Sequence, residues 1–317
     1  MAQNRVQFQK GMSQVEFTGQ FGSEEQCAVE LQRQRWPEGF RCPQCDATAH
    51  SRLTRDGRPL FQCTACRHQA SLTAGTMMDN TKLPLRLWFL ATYLIGQAKT
   101  GLSAMALMRQ LGVSYRSAWL MHHKIMQSMA EADAQCALAG NIQLDDAYLG
   151  GEKPGTPGRG SENKVAMVAA VELSDDGRPL RTKMTALQGF TSQAVTAWAR
   201  MNLVSGSDVL SDGLACFAGV IDAGCSHSFI VVGDRKPREI PRFKWVNTLL
   251  GNLKTMINGA HKHFDFVKYP HRFLGSFAYR FNNRFDLRGL VTRLIGHVAA
   301  AGKMPERTIR GSAESHT

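Results

Sequence analysis

Two cysteine pairs near the N-terminus constrain this chain more than any other feature. Cys42-Pro43-Gln44-Cys45 and Cys63-Thr64-Ala65-Cys66 are both C-x2-C, and seventeen residues separate them. Two such knuckles bring four thiolates to one tetrahedral ion, which predicts bound Zn2+. Four cysteine ligands leave no open coordination position, so the zinc is expected to be structural and not catalytic. A redox C-x-x-C would explain one pair and leave the other without a role. Between the pairs, Asp56-Gly57-Arg58-Pro59 signals a turn, flanked by extended stretches at Ser51–Thr54 and Leu60–Gln62. The expected form is a zinc ribbon over residues 42–75. His50 and His68 lie nearby, but the shell is complete without them, and both read as surface residues. The remaining cysteines, Cys27, Cys136, Cys216 and Cys225, are scattered and read as buried apolar groups.

Ahead of the ribbon, residues 1–41 form an N-terminal segment with a polar start. Ser23-Glu24-Glu25-Gln26 reads as a helix cap, Cys27–Arg35 as a short helix, and Trp36-Pro37-Glu38-Gly39 as its end. Behind it, residues 76–135 read as a helical segment. LPLRLWFLATYLIGQA is one apolar helix, with Pro84 tolerated in its first turn. SAMALMRQLG and YRSAWLMHHKIMQSMA are joined by Gly112-Val113-Ser114, a pattern that fits a helix-turn-helix. Arg116, His122, His123 and Lys124 lie on its second helix, the one that would face DNA. An ordinary helical linker is the competing reading.

From Gly140 the pattern changes. IQLDDAYL, VAMVAAVEL, RTKMTAL, SDVLSDG and SHSFIVV are strand candidates, and TSQAVTAWARMNL is a helix. Three further helical runs follow: KWVNTLLGNLKTMI, PHRFLGSFAYRFNNRF and LRGLVTRLIGHVAAA. This order suggests an α/β layered domain over 140–300, a mixed sheet flanked by helices, with a disordered tail at 301–317. GGEKPGTPGRGSENK is a Gly/Pro-rich basic loop. The aromatics of RFLGSFAYRFNNRF recur at helical spacing and read as core. No run approaches eighteen apolar residues, and the N-terminus lacks an apolar signal core, so a cytoplasmic protein with no membrane partner is expected.

Net charge is +12, and from Asp234 to Thr317 sixteen Lys and Arg face six Asp and Glu. A concentrated basic region can neutralise phosphates on nucleic acid, although a solvated basic surface would look the same in composition.

Asp145 and Asp212 each end a strand candidate, 67 positions apart. Carboxylates at strand ends can converge to hold Mg2+ or Mn2+, hard cations that prefer oxygen. Asn247 opens a helix, and Lys254 lies seven residues on, so the two share a helix face. Asp146 adjoins Asp145 but should point to the opposite side of a strand, which makes it the second choice. Asn252 rivals Asn247 but lacks the helix-face relation to Lys254.

In their order, CPQC…CTAC, LDDAYLGG, VLSDG, VNTLLGNLK, NGAHKHF and FAYRFNNRFDL resemble insertion-sequence transposases of the ISXO-like group. These carry an N-terminal zinc ribbon and a DDNK or DDEK catalytic set, and the resemblance covers about residues 42–290. It implies an RNase H-like fold and a DDE-type enzyme that cuts and joins DNA ends. Asp145 and Asp212 match the family's two carboxylates, Asn247 its third position and Lys254 its lysine. Lys254, Arg280 and Arg284 would position phosphates, with Arg116 and Lys124 on the helical segment. The implied partners are double-stranded DNA, at element ends and target, and further copies of the chain. His261 and His263 could touch DNA or be exposed or capping residues. A DNA-binding regulator without catalysis and a non-transposing nuclease of the same fold are the alternatives.

Overall fold

The computed structural model describes residues 9–55, 57–150, 164–233, 235, 239–262 and 264–311. Most of the basic loop at 150–164, together with His263, lies outside the described residues. The chain divides into two compact units, Met1–Ser128 with Asn283–Gly311, and Met129–Asn282.

The first unit opens with α1 (Gln14–Phe21) and α2 (Glu24–Arg35), each started by a reciprocal capping box, Ser13 with Glu16 and Ser23 with Gln26. The side chains satisfy amides that have no partner inside the helix. A three-stranded antiparallel sheet follows: β1 (His50–Arg55), β2 (Arg58–Cys63) and β3 (Gln69–Ser71). At the end of α2, Arg35 donates to the carbonyls of Ser71 at 2.6 Å, Leu72 at 2.7 Å and Ala74. Trp36 meets Phe40 and Phe61 edge-on, with centroids 4.9 Å apart in both pairs. The ribbon's packing therefore begins at α2, ahead of the boundary expected at residue 42.

Next come α3 (Leu85–Gln97), α4 (Ala104–Leu111) and α5 (Tyr115–Ala134). Glu24 caps α3 from outside, accepting from the Leu85 and Arg86 amides at 2.7 and 3.1 Å. A carboxylate there also suits the positive end of the helix dipole. Gly112 ends α4 in the left-handed region (φ 64°), where a side chain is disfavoured, and Ser114 accepts from the Ser117 amide to start α5. The helix-turn-helix outline thus matches the reading of the sequence.

The second unit is built on β4 (Asn141–Leu149), β5 (Val165–Leu173), β6 (Pro179–Ala186), β7 (Asp208–Ser211) and β8 (Ser226–Phe229). Their order is β6-β5-β4-β7-β8. β5 runs antiparallel to both neighbours, whereas β4, β7 and β8 are parallel. Helix α6 (Ser192–Asn202) and a 3-10 segment, Ala215–Ala223, cover one face. The other face carries α7 (Lys244–Met256) and α8 (Pro270–Asn282). β5 is almost continuously apolar because both its faces are buried: Val168 and Ala170 point to one core, Met167, Ala169 and Val171 to the other. This is the RNase H-like arrangement, a mixed sheet flanked by helices. Phe273, Phe277 and Tyr279 of α8 are buried, as expected of this aromatic stretch, whereas Phe285, past the helix end, is exposed.

The chain then returns to the first unit through α9 (Leu290–Ala300) and α10 (Glu306–Gly311). This corrects two expectations. Helix α9 packs on α2 and α3 and does not belong to the mixed-sheet unit. The expected tail from 301 includes a helix whose Ile309 is fully buried.

Candidate active site

On β4, Ile142 and Leu144 belong to the α6 core, while Ala147 and Leu149 pack with the α7 core. Side chains alternate along a strand, so Asp145 stands on the α7 face and Asp146 on the α6 face. On β7, Val209 joins the α6 core and Leu210 the α7 core. Continuing that alternation, Asp212 shares the α7 face with Asp145. Both aspartates thus face the helix that carries Asn247.

The register explains why they sit in an open cleft. β7 pairs with β4 only from Asn141↔Asp208 to Gln143↔Leu210, after which the two chains part. Asp145, Asp146, Asp212, Ile240, Phe243 and Asn247 line the space that results, about 540 Å³. Asp145 Oδ1 accepts from the Asp146 amide at 2.9 Å, and Asp212 Oδ1 from the Leu214 amide at 3.1 Å. Gly213 permits the turn between them: its φ is 88°, and a Cβ there would lie 3.3 Å from the Phe229 ring.

Asp145, Asp146 and Asp212 each offer a carboxylate oxygen, and all three oxygens lie within 4.8 Å of one another. Asp146 therefore joins the cluster, although strand alternation sets it on the other face. Beyond the last β4–β7 pair, β4 is paired only with β5, and its edge towards β7 is open. Three half-buried carboxylates at this spacing repel, and a cation among them offsets that repulsion. All-oxygen donors suit Mg2+ or Mn2+. Asn247 is half-buried on the cleft wall, whereas Asn252 is exposed farther along α7. Lys254 is exposed one heptad after Asn247.

In the ribbon, the Cys42–Cys66 and Cys45–Cys63 sulfurs are 3.5 and 3.6 Å apart, and all four lie within 4.8 Å. Thiolates at ~2.3 Å from a tetrahedral zinc stand ~3.8 Å apart, whereas a disulfide requires ~2.05 Å. The donor set fits zinc. Amides of Cys66 and Ala65 pull the Cys63 thiol down to about 7. Despite the Ala47 amide beside it, Cys45 is held up at about 12 by hydrogen bonding with Cys66, Cys63 and Cys42.

The basic residues singled out in the sequence fare differently. Arg116 is exposed and paired with Glu306 at 2.8 Å. Lys124 is 5% exposed and donates to the Met77 carbonyl at 2.7 Å, so it does not present its ammonium to DNA. His122 and His123 are buried too, because α5 is enclosed on every side over 121–126. Arg280 is half-buried and contacts Met256 Sδ at 3.1 Å, and burial pushes it down to about 10, still charged at neutral pH. Arg284 lies 4.1 Å over the Phe285 ring and is likewise pushed to about 10 by burial. His261 is pressed edge-on against Phe273 at 4.8 Å and is not an exposed contact.

Residues 137–282 match the ISXO2-like transposase domain, and residues 22–69 match the transposase zinc-ribbon domain. The latter begins at α2, in keeping with the packing of α2 on the ribbon. An uncharacterized protein in transposable element ISH50 of Halobacterium salinarum is 29% identical over 143 residues, 44% of this chain and 45% of that one. The chain thus spans under half the length of that relative. The pre-cleavage Mos1 transpososome structure aligns with 68% of this chain and 79% of its own, at 11% identity and a TM-score of 0.23. The Mos1 strand transfer complex aligns over 69% and 79%, at 12% identity and a TM-score of 0.22.

Proposed function

We propose that the chain, whose residues 137–282 match the ISXO2-like transposase domain and residues 22–69 the transposase zinc-ribbon domain, is the DNA transposase of an insertion sequence. It binds terminal inverted repeats and performs metal-dependent cleavage and strand transfer. The observation that carries this reading is the convergence of Asp145, Asp146 and Asp212 beside Asn247 in one open cleft of the mixed-sheet unit.

Asp145 and Asp212 would hold Mg2+ or Mn2+, with Asp146 beside them and the Asn247 carboxamide oxygen as a neutral ligand. When bound, such a cation polarises a phosphodiester and lowers the pKa of a coordinated water. The carboxylates hold negative charge close to the reacting phosphate only while the cation offsets it. Lys254, on the Asn247 face of α7, meets a DNA phosphate and fixes its register without reading sequence. Cys42, Cys45, Cys63 and Cys66 hold a structural zinc. Ribbon and helical segment bind the element's ends, with Arg116 as the exposed cation of α5. Two ends must be brought together for joining, so a homo-oligomer on DNA is part of this reading. Among the described residues no helix is long and apolar enough to cross a membrane.

The test is incubation of the protein with Mg2+ and DNA carrying the element's ends. Nicked and joined products are expected, and both are lost in Asp145→Ala and Asp212→Ala. Full strand transfer by those variants would sink the assignment. Binding without cleavage would indicate a regulator, and cleavage without joining a nuclease.

A further inference from the structure

Gln143 lies on β4 two residues before Asp145, and it is only 4% exposed. Two residues are one strand period, so both side chains stand on the face that packs α7. Gln143 Oε1 accepts a buried hydrogen bond from the Val246 amide at 3.1 Å. Val246 is fully buried in the first turn of α7, immediately before Asn247. That helix starts at Phe243 with no side-chain cap of its own, and first-turn amides have no partner inside a helix. Gln143 supplies from the neighbouring strand what a local cap supplies elsewhere.

We propose that Gln143 is a positioning residue for the acidic cleft. Its bond to Val246 sets the height and rotation of α7 on β4, and so where the Asn247 carboxamide stands relative to Asp145. This rests on reading the cleft as a divalent-metal site. Trp245 Nε1 also donates to the Gly177 carbonyl at 2.7 Å, which ties the start of α7 to the β5–β6 turn away from the cleft, and the contact with the sheet itself is made by Val246, Leu249, Leu250, Leu253 and Met256. Apolar contact is non-directional and permits a helix to slide or roll slightly. A buried hydrogen bond does not, because it has a narrow range of length and angle and leaves an unsatisfied donor when broken. Residues that orient metal ligands through such bonds typically change metal affinity or activity by about 10–100-fold.

The experiment uses the full chain and Mn2+ alone, with calorimetry of binding, hydrogen exchange at the Val246 amide and thermal unfolding. Gln143→Leu, similar in size but without an acceptor, is expected to fold, to exchange Val246 faster and to bind Mn2+ about 10-fold more weakly. Gln143→Asn, one methylene too short to reach Val246, is expected to do the same and serves if the leucine variant does not fold. In an Asn247→Ala background, Gln143→Leu should cost no further affinity, which a purely structural role would not produce. A folded Gln143 variant that binds Mn2+ like the wild type overturns the role of Gln143 alone. A wild-type chain that binds no Mn2+ overturns the metal reading of the cleft, and the proposal with it.

Discussion

Lys183 and Asp133 form an ion pair of 2.9 Å with side chains only 4% and 9% exposed. Lys183 also donates to the Asp133 carbonyl, and Asn282 Nδ2 donates to the other carboxylate oxygen at 2.6 Å. Asn282 Oδ1 accepts from the Thr182 amide at 2.8 Å. The end of α5, strand β6 and the end of α8 are thereby joined inside the second unit. Burial raises the Asp133 carboxyl above its ordinary value despite the opposing pull of Lys183. Removing one partner strands a charge without compensation, so Lys183→Met should lower stability by about 3–5 kcal/mol. Asp133→Leu with Lys183→Met together should cost less than Lys183→Met alone. Urea unfolding of the two variants checks this, and equal losses would refute it.

In the ribbon, the residue after each knuckle lies in the left-handed region: Asp46 at φ 61° and Arg67 at φ 63°. For a residue with a Cβ that conformation costs about 1–2 kcal/mol. Arg67→Gly is therefore expected to keep bound zinc and resist chelation slightly better than wild type. Arg67→Val, branched at Cβ, should lose zinc at lower chelator concentration. Chelation of the wild type should unfold the ribbon locally, because binding and folding of such a site are one equilibrium. Zinc content against chelator concentration, with circular dichroism, reads all three.

Burial, assisted by the charge of Arg280, pushes the His261 imidazole down to about 4 from an ordinary 6.5. The folded state thus binds fewer protons than the unfolded one between those values. Stability is full above about pH 6.5 and falls as pH drops towards 4, by about 2–3 kcal/mol from this residue. His227 and His297 are also lowered by burial and act in the same direction. His261→Phe should flatten the decline without abolishing it. Denaturant midpoints from pH 7 to pH 4 test this, and an unchanged slope would contradict it.

Asn247 brings a neutral oxygen to the acidic cleft. A carboxylate is the stronger ligand for a hard cation. Asn247→Asp should therefore bind Mn2+ about 10-fold more tightly, read by titration calorimetry. Asp146→Ala should weaken binding measurably, because its oxygen lies within 4.8 Å of the other two. If Asp146→Ala binds as wild type, Asp145 and Asp212 alone hold the ion.

Much of this site was legible along the chain. Cys42, Cys45, Cys63 and Cys66 are recognisable from spacing alone, because ligand geometry at such a site is local. The preference for Asn247 over Asn252 followed from helical periodicity, and Asn247 is the one on the cleft wall. Alternation makes Asp146 only the second choice. It does describe that residue's face, but β7 stops pairing with β4 beyond Leu210, and that opening depends on a strand distant in sequence. Lys124 read as an exposed cation because neighbours at Met77 and Trp88 are invisible in the local pattern.

By itself the sequence determined the zinc ribbon, the alternation of strands and helices, and the place of Asp212 at the end of its strand, whereas Asp145, expected at a strand end, stands in the middle of β4. These follow from ligand spacing, apolar period and turn chemistry, all of which act within a few residues. Tertiary structure decided which helices belong to which unit, that Asp146 joins the acidic cluster, and that Gln143 caps α7. Those outcomes depend on which distant segments share a core, and hydrophobic burial, being non-directional, leaves no signature of its partner in either segment.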